Sequence, residues 1–273
     1  MEKYVLAIII ISIGGLGLWV YSKNQPPELI VVDLPEAKVH QEFADNTIQE
    51  DKVDLIIEDI IDNEEDGLIV ETNEKPIVKP IVEEINSINL AVPFTSQAPT
   101  ANWDQPFQDA CEEASVLMVA YYYQNKSMPS KEAVENILLE MINWQSDFMS
   151  GDYDINVEET GQFAKGFFGY NTKVIPDLTA TKIRNFLREG FPVIVPANGH
   201  ILNNPNFTGD GPKYHMLVIK GFVDDKFITN DPGTRNGENF VYTEANLMAA
   251  IADWDKEKAL TVGPKVALIL LEN

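Results

Sequence analysis

The pattern of apolar and polar residues divides the chain into three regions. Residues 4–22 form an uncharged apolar run, YVLAIIIISIGGLGLWVYS. Residues 24–87 are acidic and interrupted by prolines, and their apolar groups are short. From residue 88 to residue 273, longer apolar patterns alternate with turn residues, as expected for a folded domain. We therefore predict an N-terminal segment (1–23), a linker (24–87) and one domain (88–273).

The apolar run is long enough for a membrane-spanning helix. Trp19 and Tyr21, near its end, are typical of residues at a membrane interface. A cleaved secretory signal is the alternative, although no small-residue cleavage site follows the run. With an uncleaved anchor, the domain is extracytoplasmic and tethered by a single membrane pass. With a cleaved signal, it is secreted.

The segment 24–87 carries 18 acidic and 4 basic side chains and few aromatic residues. Such a composition cannot bury enough apolar surface to offset the entropy of ordering the chain. We therefore expect an extended or disordered acidic linker. The alternative is an acidic segment that docks on the domain.

Helical patterns come first within the domain. Asp109 is a suitable N-cap for a helix containing Cys111, and Glu112 completes the spacing of a capping box. The apolar positions of this helix recur at helical spacing and predict one buried stripe: Ala114, Leu117, Met118 and Tyr121. Further helices are predicted over 130–144, 157–168, 181–189 and 243–255, and Gly190 is expected to end the third of these.

Short β-branched runs dominate the second half of the domain. INLAVPFTSQ at the start of the domain predicts a short strand and a loop, and PVIVPA, HMLVIKGF, KFITND and KVALILL are typical of strands. HMLVIKGF and KFITND are predicted to form a hairpin that turns at Asp224 and Asp225. Helices followed by an antiparallel sheet predict an α+β fold.

Composition excludes several classes of function. The net charge is −23 and no region is basic, which argues against nucleic acid as a partner. A single cysteine excludes a disulfide framework and a multi-cysteine metal site. No phosphate-binding glycine motif is present, so we predict no nucleotide. One acidic cluster is spaced like a calcium loop but lacks its glycine, so we expect a solvated loop and no metal or cofactor: Asp152, Asp154, Asn156 and Glu158.

Three residues could form a nucleophilic site. Cys111 lies near a predicted helix start, where unpaired backbone N–H groups favour a thiolate. His215 begins the first strand of the predicted hairpin and Asp231 ends the second, so both lie at the same end of the hairpin. Each residue alone has an ordinary structural explanation. Together they match a nucleophile, a base and a carboxylate that orients the base.

The order of several motifs also carries a resemblance. VPFTSQ, a tryptophan-containing loop, CxxAS at a helix start, GFPVIV, YHMLVIKGF and NDPGT follow one another. Over Asn89 to Leu271 the chain thus resembles the papain-like cysteine peptidase family 39, and within it the stand-alone "peptidase 39-like" branch. The resemblance implies a papain-like fold with helices packed on an antiparallel sheet, and a peptide or protein substrate. It also implies Cys111 as nucleophile, His215 as base and acid, and Asp231 as its orienting group.

The resemblance further implies a glutamine that stabilises the oxyanion. We assign Gln97, within VPFTSQ, although Gln105 stands at the six-residue spacing before the cysteine that the exporter branch uses. One departure is that Glu112 and Glu113 replace the usual small pair after the nucleophile, and their charges disfavour the thiolate. We expect a membrane-tethered cysteine peptidase that acts through a thioester. The alternatives are a weak or inactive peptide-binding module and a related acyl-transferring or amidase activity.

Overall fold

The computed structural model describes residues 29–43, 51–57, 86–149 and 153–272. The predicted membrane span at 4–22 and most of the predicted linker lie outside these ranges. Within them, no helix combines the length and the apolar character needed to cross a bilayer.

A mixed α+β domain is built on a central sheet, which confirms the predicted fold class. In the described part of the chain, the sheet has eight strands in the order β1-β2-β5-β4-β10-β3, and β6 followed by β7 extends it from β5. The β1–β2 pair is parallel and the other pairs are antiparallel. The strands of the domain, with a separate pair β8–β9, are β1 (Ala37–Lys38), β2 (Ser87–Leu90), β3 (Asn171–Ile175), β4 (Val193–Ala197), β5 (His215–Val223), β6 (Lys226–Asn230), β7 (Phe240–Thr243), β8 (Trp254–Asp255), β9 (Leu260–Thr261) and β10 (Ala267–Leu271).

One helix, α1, packs against β5 in the middle of the sheet and against the next two helices. Every residue of α1 except Tyr121 is buried. Helices that are apolar all round belong in the interior of a domain, so α1 is a core element that also carries Cys111 at its first position. The helices are α1 (Cys111–Tyr123), α2 (Lys131–Phe148), α3 (Val157–Phe168), α4 (Ala180–Arg188), α5 (Gly199–Leu202) and α6 (Glu244–Ala250).

The predicted capping box at the start of α1 is wrong. Asp109 ends a 3₁₀ turn (Phe107–Asp109), and the N-cap residue is Ala110, which has no side chain able to cap. Glu112 points into the protein instead of back to the helix start. The single buried stripe is wrong as well, because burial of α1 on nearly all sides removes the polar face that such a stripe requires.

The other predicted elements are largely confirmed. Ser130 caps α2 and Asn156 caps α3 through their side-chain oxygens. The β5–β6 hairpin turns at Asp224 and Asp225, as predicted. The helix predicted over 243–255 is wrong in its second half. There Ile251 becomes extended and bridges to β4, so that α6 ends at Ala250 and β8 follows.

Part of the acidic segment lies against the domain. β1 adds a parallel strand to β2, and the N–H of Ala91 donates to the carbonyl of Lys38 at 2.7 Å. Residues 51–57 are helical, and their Val53 side chain is fully buried. These contacts are those expected of a docking acidic segment. The division of the chain into anchor, linker and domain stays a prediction.

His40 is the main buried polar residue of this docked segment. Its ring contacts Tyr122 and Tyr123, at the end of α1, edge-on with centroid separations of 5.3 and 4.8 Å. Its Nε2 lies 2.7 Å from a carboxylate oxygen of Glu272. The segment before the domain is therefore joined both to the C-terminus of α1 and to the last residues of the domain.

We predict that His40→Ala lowers the free energy of unfolding of the full chain by about 2 kcal/mol, because it removes two ring contacts and a partly buried hydrogen bond. Urea unfolding followed by circular dichroism measures the difference. His200→Ala is the matched control, since His200 is exposed and the change should stay within about 0.5 kcal/mol. Equal stability of the two variants would contradict the docking.

Candidate active site

Cys111 and His215 line the same cleft. The cleft has a volume of about 400 Å³ and a mainly apolar wall. Cys111 is the first residue of α1, and His215 is the first residue of β5. The cleft is lined by Gln97, Trp103, Gln108, Asp109, Cys111, Asp154, Phe207, Thr208, Gly211, Pro212, Tyr214, His215 and Gly233.

His215 and Asp231 are in direct contact. The ring Nε2 of His215 lies 2.7 Å from Oδ1 of Asp231, and both side chains are buried. Strand pairing explains the contact: Val218 is opposite Asn230, so Asp231 follows the last paired residue of β6. The residual offset along the ladder is spanned by the two side chains. This pairing uses Nε2, so Nδ1 is the ring nitrogen left for another partner.

Four donors surround the Asp231 carboxylate. Besides His215, Oδ1 accepts the backbone N–H of Gly233 at 3.0 Å. Oδ2 accepts the hydroxyl of Tyr242 at 2.6 Å and the amide of Asn204 at 3.0 Å. Burial alone would raise the pKa of Asp231, but the charge of His215 and these hydrogen bonds together bring it below its usual value. Asp231 is therefore held as a carboxylate that orients His215.

The ring of His215 is also held by close packing. Phe207 meets it edge-on, with ring centroids 5.4 Å apart and an interplanar angle of 83°. Gly233 lies so close that a Cβ there would stand 2.8 Å from Cε1 of His215. A glycine at this turn thus leaves room for the ring in the orientation that reaches Asp231.

Gln97 lies at the cleft, as its assignment to the oxyanion requires. Its loop is fixed by the turn after Asp231, because the N–H of Gln97 donates to the carbonyl of Pro232 at 3.0 Å. Its side-chain Nε2 donates to the carbonyls of Phe107 and Gln108, at 3.1 and 2.6 Å. Both amide hydrogens are thus engaged by the 3₁₀ turn that precedes Cys111.

Two other glutamines precede Cys111, Gln105 and Gln108, and they occupy different positions. Gln105 is exposed, does not line the cleft, and donates to the Asp109 side chain. Gln108 lines the cleft but is also exposed. Of the three, Gln97 is the buried side chain at the cleft.

Two buried carboxyl groups follow Cys111. The Cys111 S–H donates to Oε2 of Glu112 at 2.9 Å, and Oε1 of Glu112 accepts the N–H of Ile155 at 3.1 Å. Glu113 is also buried, and its Oε2 has no hydrogen-bond partner among the described residues. Neither side chain lies in solvent, contrary to what is usual for first-turn glutamates.

Burial governs the ionisation of this cluster. It raises the pKa of Glu112 well above its usual value, with the charge of Glu113 adding to the effect. Burial, together with the nearby Asp109 and Asp154, raises the pKa of Glu113 from 4.5 to about 8. Burial and the Glu112 carboxylate raise the pKa of the Cys111 thiol well above 9.0. While Glu112 is ionised, the resting form of Cys111 is therefore the thiol.

The acidic loop before α3 has a structural role where it is described. Asn156 caps α3, and Ile155 binds Glu112 through its N–H. Asp152 lies outside the described residues. No group of three or more metal-ligating side chains occurs in 29–43, 51–57, 86–149 and 153–272.

Sequence reasoning missed the residues that support Asp231. Tyr242 lies on β7, which pairs with β6, and Asn204 lies in the asparagine-rich loop after α5. Both are polar residues in segments with many similar residues, so no spacing distinguishes them. The signal that could have found Tyr242 is the pairing of β7 with the strand that leads into Asp231.

The family of the chain follows from a comparison with known proteins. The sequence profile of the Peptidase C39-like family matches residues 89–261. This chain belongs to the C39-like peptidase family. The C39-like domain also resembles two solved structures. One is a C39-like peptidase from Bacillus anthracis, with 16% identity, a TM-score of 0.43, and coverage of 67% of this chain and 96% of that chain.

The second solved structure is the peptidase domain of Streptococcus ComA, a bifunctional ABC transporter involved in a quorum-sensing pathway. The identity is 16% and the TM-score 0.30, with coverage of 61% of this chain and 93% of that chain. No curated protein matches this chain. The family assignment of the C39-like domain rests on the profile match, which confirms the predicted resemblance.

We predict that Glu113→Gln stabilises the domain at high pH. A raised carboxyl pKa contributes stability that is present below the unfolded value of 4.5 and lost as the pH rises through about 8. The variant carries no charge there, so its free energy of unfolding should exceed that of the wild type by about 1–3 kcal/mol near pH 8. The difference should vanish near pH 4.

Urea unfolding at several pH values measures this difference. Glu140→Gln is the matched control, because Glu140 is an exposed glutamate of α2 and its replacement should change nothing. The depressed pKa of Asp231 affects stability in a different pH range. The stability that its carboxylate contributes is lost only as the pH falls below about 4. A variant less stable than the wild type near pH 8 would contradict the burial argument.

Proposed function

We propose that the C39-like domain is a cysteine peptidase that cleaves peptide bonds through Cys111, His215 and Asp231. The observation that carries the proposal is the buried contact between His215 Nε2 and Asp231 Oδ1, at 2.7 Å, in a cleft that Cys111 also lines. A histidine oriented in this way by a carboxylate has a fixed tautomer, with Nδ1 available to a nucleophile.

The reaction has two steps. The Cys111 proton passes to His215, and the sulfur attacks the carbonyl carbon of the scissile bond. His215 then gives that proton to the leaving amine, and a thioester remains on Cys111. In the second step His215 takes a proton from water, the hydroxide attacks the thioester, and the acid product leaves as Cys111 regains its proton. Asp231 holds the imidazolium in both steps.

The oxyanion of each tetrahedral intermediate needs donors. The first N–H groups of α1 have no partners within the helix and lie beside the Cys111 sulfur. Gln97 is the second donor. To act, it has to release or share one of the hydrogen bonds that it makes to the carbonyls of Phe107 and Gln108. A substrate in the cleft offers the negatively charged oxygen that competes for this N–H.

Two features of the site favour a second function. The raised pKa of Cys111 and the engaged amide of Gln97 are features of a site that binds peptide and turns it over slowly or not at all. In that case the C39-like domain is a peptide-binding module. A related amidase or acyl transferase would use the same three residues on a different acyl group. The predicted membrane tether and extracytoplasmic location stay part of the proposal.

Incubation of the full chain with a mixture of peptides, read by mass spectrometry, tests the proposal. We expect cleavage to fall at least about 10³-fold in Cys111→Ala and in His215→Ala, because triad members act as a unit. His200→Ala, the exposed histidine, is the control and should keep full activity. Peptides that bind without being cleaved would support the binding module. Hydrolysis of peptidoglycan fragments alone, or transfer to an added amine, would overturn the peptidase.

We predict that Gln97→Ala lowers kcat by about 10²-fold, as expected for loss of one oxyanion donor. Gln105→Ala is the matched control and should change kcat by less than about twofold, since Gln105 lies outside the cleft. Thermal unfolding of both variants separates a catalytic effect from loosening of the Gln97 loop. A larger loss in Gln105→Ala would reverse the assignment.

A further inference from the structure

Glu112 is the carboxyl group in direct contact with the proposed nucleophile. Its Oε2 accepts the Cys111 S–H at 2.9 Å, while its Oε1 accepts the N–H of Ile155 at 3.1 Å. The side chain is fully buried. The backbone of Ile155 thus holds one oxygen of Glu112 so that the other oxygen faces the sulfur.

The surroundings of Glu112 are acidic. The ionisable groups that face it or line the cleft with Cys111 come from the 3₁₀ turn before α1, from α1, from the loop before α3 and from the residues at and just before the start of β5: Asp109, Cys111, Glu113, Asp154, Tyr214 and His215. Among the described residues that line the cleft, none is a lysine or an arginine. Burial, and then the charges of Glu113 and Asp154, raise the pKa of Glu112 well above 4.5. Its protonation therefore changes at a higher pH than that of an ordinary glutamate.

We infer that Glu112 is a proton switch for Cys111, a role that rests on the proposed function. As a carboxylate, Glu112 accepts the S–H and keeps Cys111 a thiol. As a carboxylic acid, it donates its O–H to the sulfur and stabilises the thiolate that faces a protonated His215. The change from the first state to the second takes up one proton from solvent, which binds Glu112, while the Cys111 proton moves to His215.

This mechanism reverses the usual response of a thiol to pH. An isolated cysteine becomes a thiolate as the pH rises. Here the reactive pair of thiolate and imidazolium forms as the pH falls through the titration of Glu112. The contact depends on Ile155, because its N–H holds the Glu112 carboxyl with the second oxygen beside the Cys111 sulfur.

Alkylation of Cys111 by iodoacetamide tests the inference on the full chain. The chain has one cysteine, so every cysteine adduct reports this site. We expect the wild-type rate to fall as the pH rises through the titration of Glu112, which lies above that of an ordinary glutamate. Glu112→Gln keeps an N–H donor for the sulfur but carries no charge, so it should lack this fall and react at least about tenfold faster at a pH where the wild-type rate has fallen.

Glu113→Gln is the matched control, because Glu113 is an equally buried neighbour for which no contact with the sulfur is found in the described structure. It removes a like charge from the surroundings of Glu112. The fall in the alkylation rate should therefore remain and shift to lower pH. Loss of the fall in Glu113→Gln, together with its persistence in Glu112→Gln, would overturn the assignment to Glu112.

A second measurement needs no variant of Glu112. The ultraviolet absorbance of the thiolate, taken as the difference between the wild type and Cys111→Ser, should increase as the pH is lowered through the titration of Glu112. An absorbance that only increases with pH, as for an ordinary thiol, would overturn the switch. Neither experiment uses a peptide. If the chain cleaves peptides but Cys111 titrates as an ordinary thiol, only the switch is refuted. If the reversed response to pH is found but no peptide is cleaved, only the peptidase is refuted.

Discussion

The packing of the buried helix α1 against β5 is the constraint on which the site depends. The two elements pack together, and Cys111 and His215, the first residue of each, line one cleft. Burial on nearly all sides fixes the helix in rotation and along its axis. The same burial removes water from Glu112 and Glu113, which would be solvated at an ordinary helix start. The packing that brings Cys111 to the cleft thus also buries the two carboxyl groups that follow it.

His215 is positioned by the sheet. The β5–β6 hairpin brings Asp231 to His215, and β7 adds Tyr242 behind Asp231. The loop that carries Gln97 is bound to the turn after Asp231 through Pro232. The orienting carboxylate and the candidate oxyanion donor are therefore parts of one connected structure. A change in this turn would displace both.

Much of this arrangement follows from local sequence pattern. Alternating β-branched residues identified the hairpin and hence the proximity of His215 and Asp231, and the motif order identified the family. The capping box was wrong although Asp109-x-x-Glu112 has the right spacing, because tertiary burial decided where the Glu112 side chain points. The contacts of Asn204 and Tyr242 with Asp231, like the docking of His40 on α1, join segments distant in sequence. No local pattern encodes such contacts.

The proposed peptidase forms a thioester on Cys111, and trapping this thioester tests the proposal most directly. The full chain is mixed with a peptide that it cleaves, quenched in acid during turnover, and analysed by intact-mass and fragment mass spectrometry. We expect an acyl adduct of the N-terminal peptide fragment, located on Cys111 and released by hydroxylamine. Continued cleavage with no adduct, and with unchanged rate in Cys111→Ala, would contradict it.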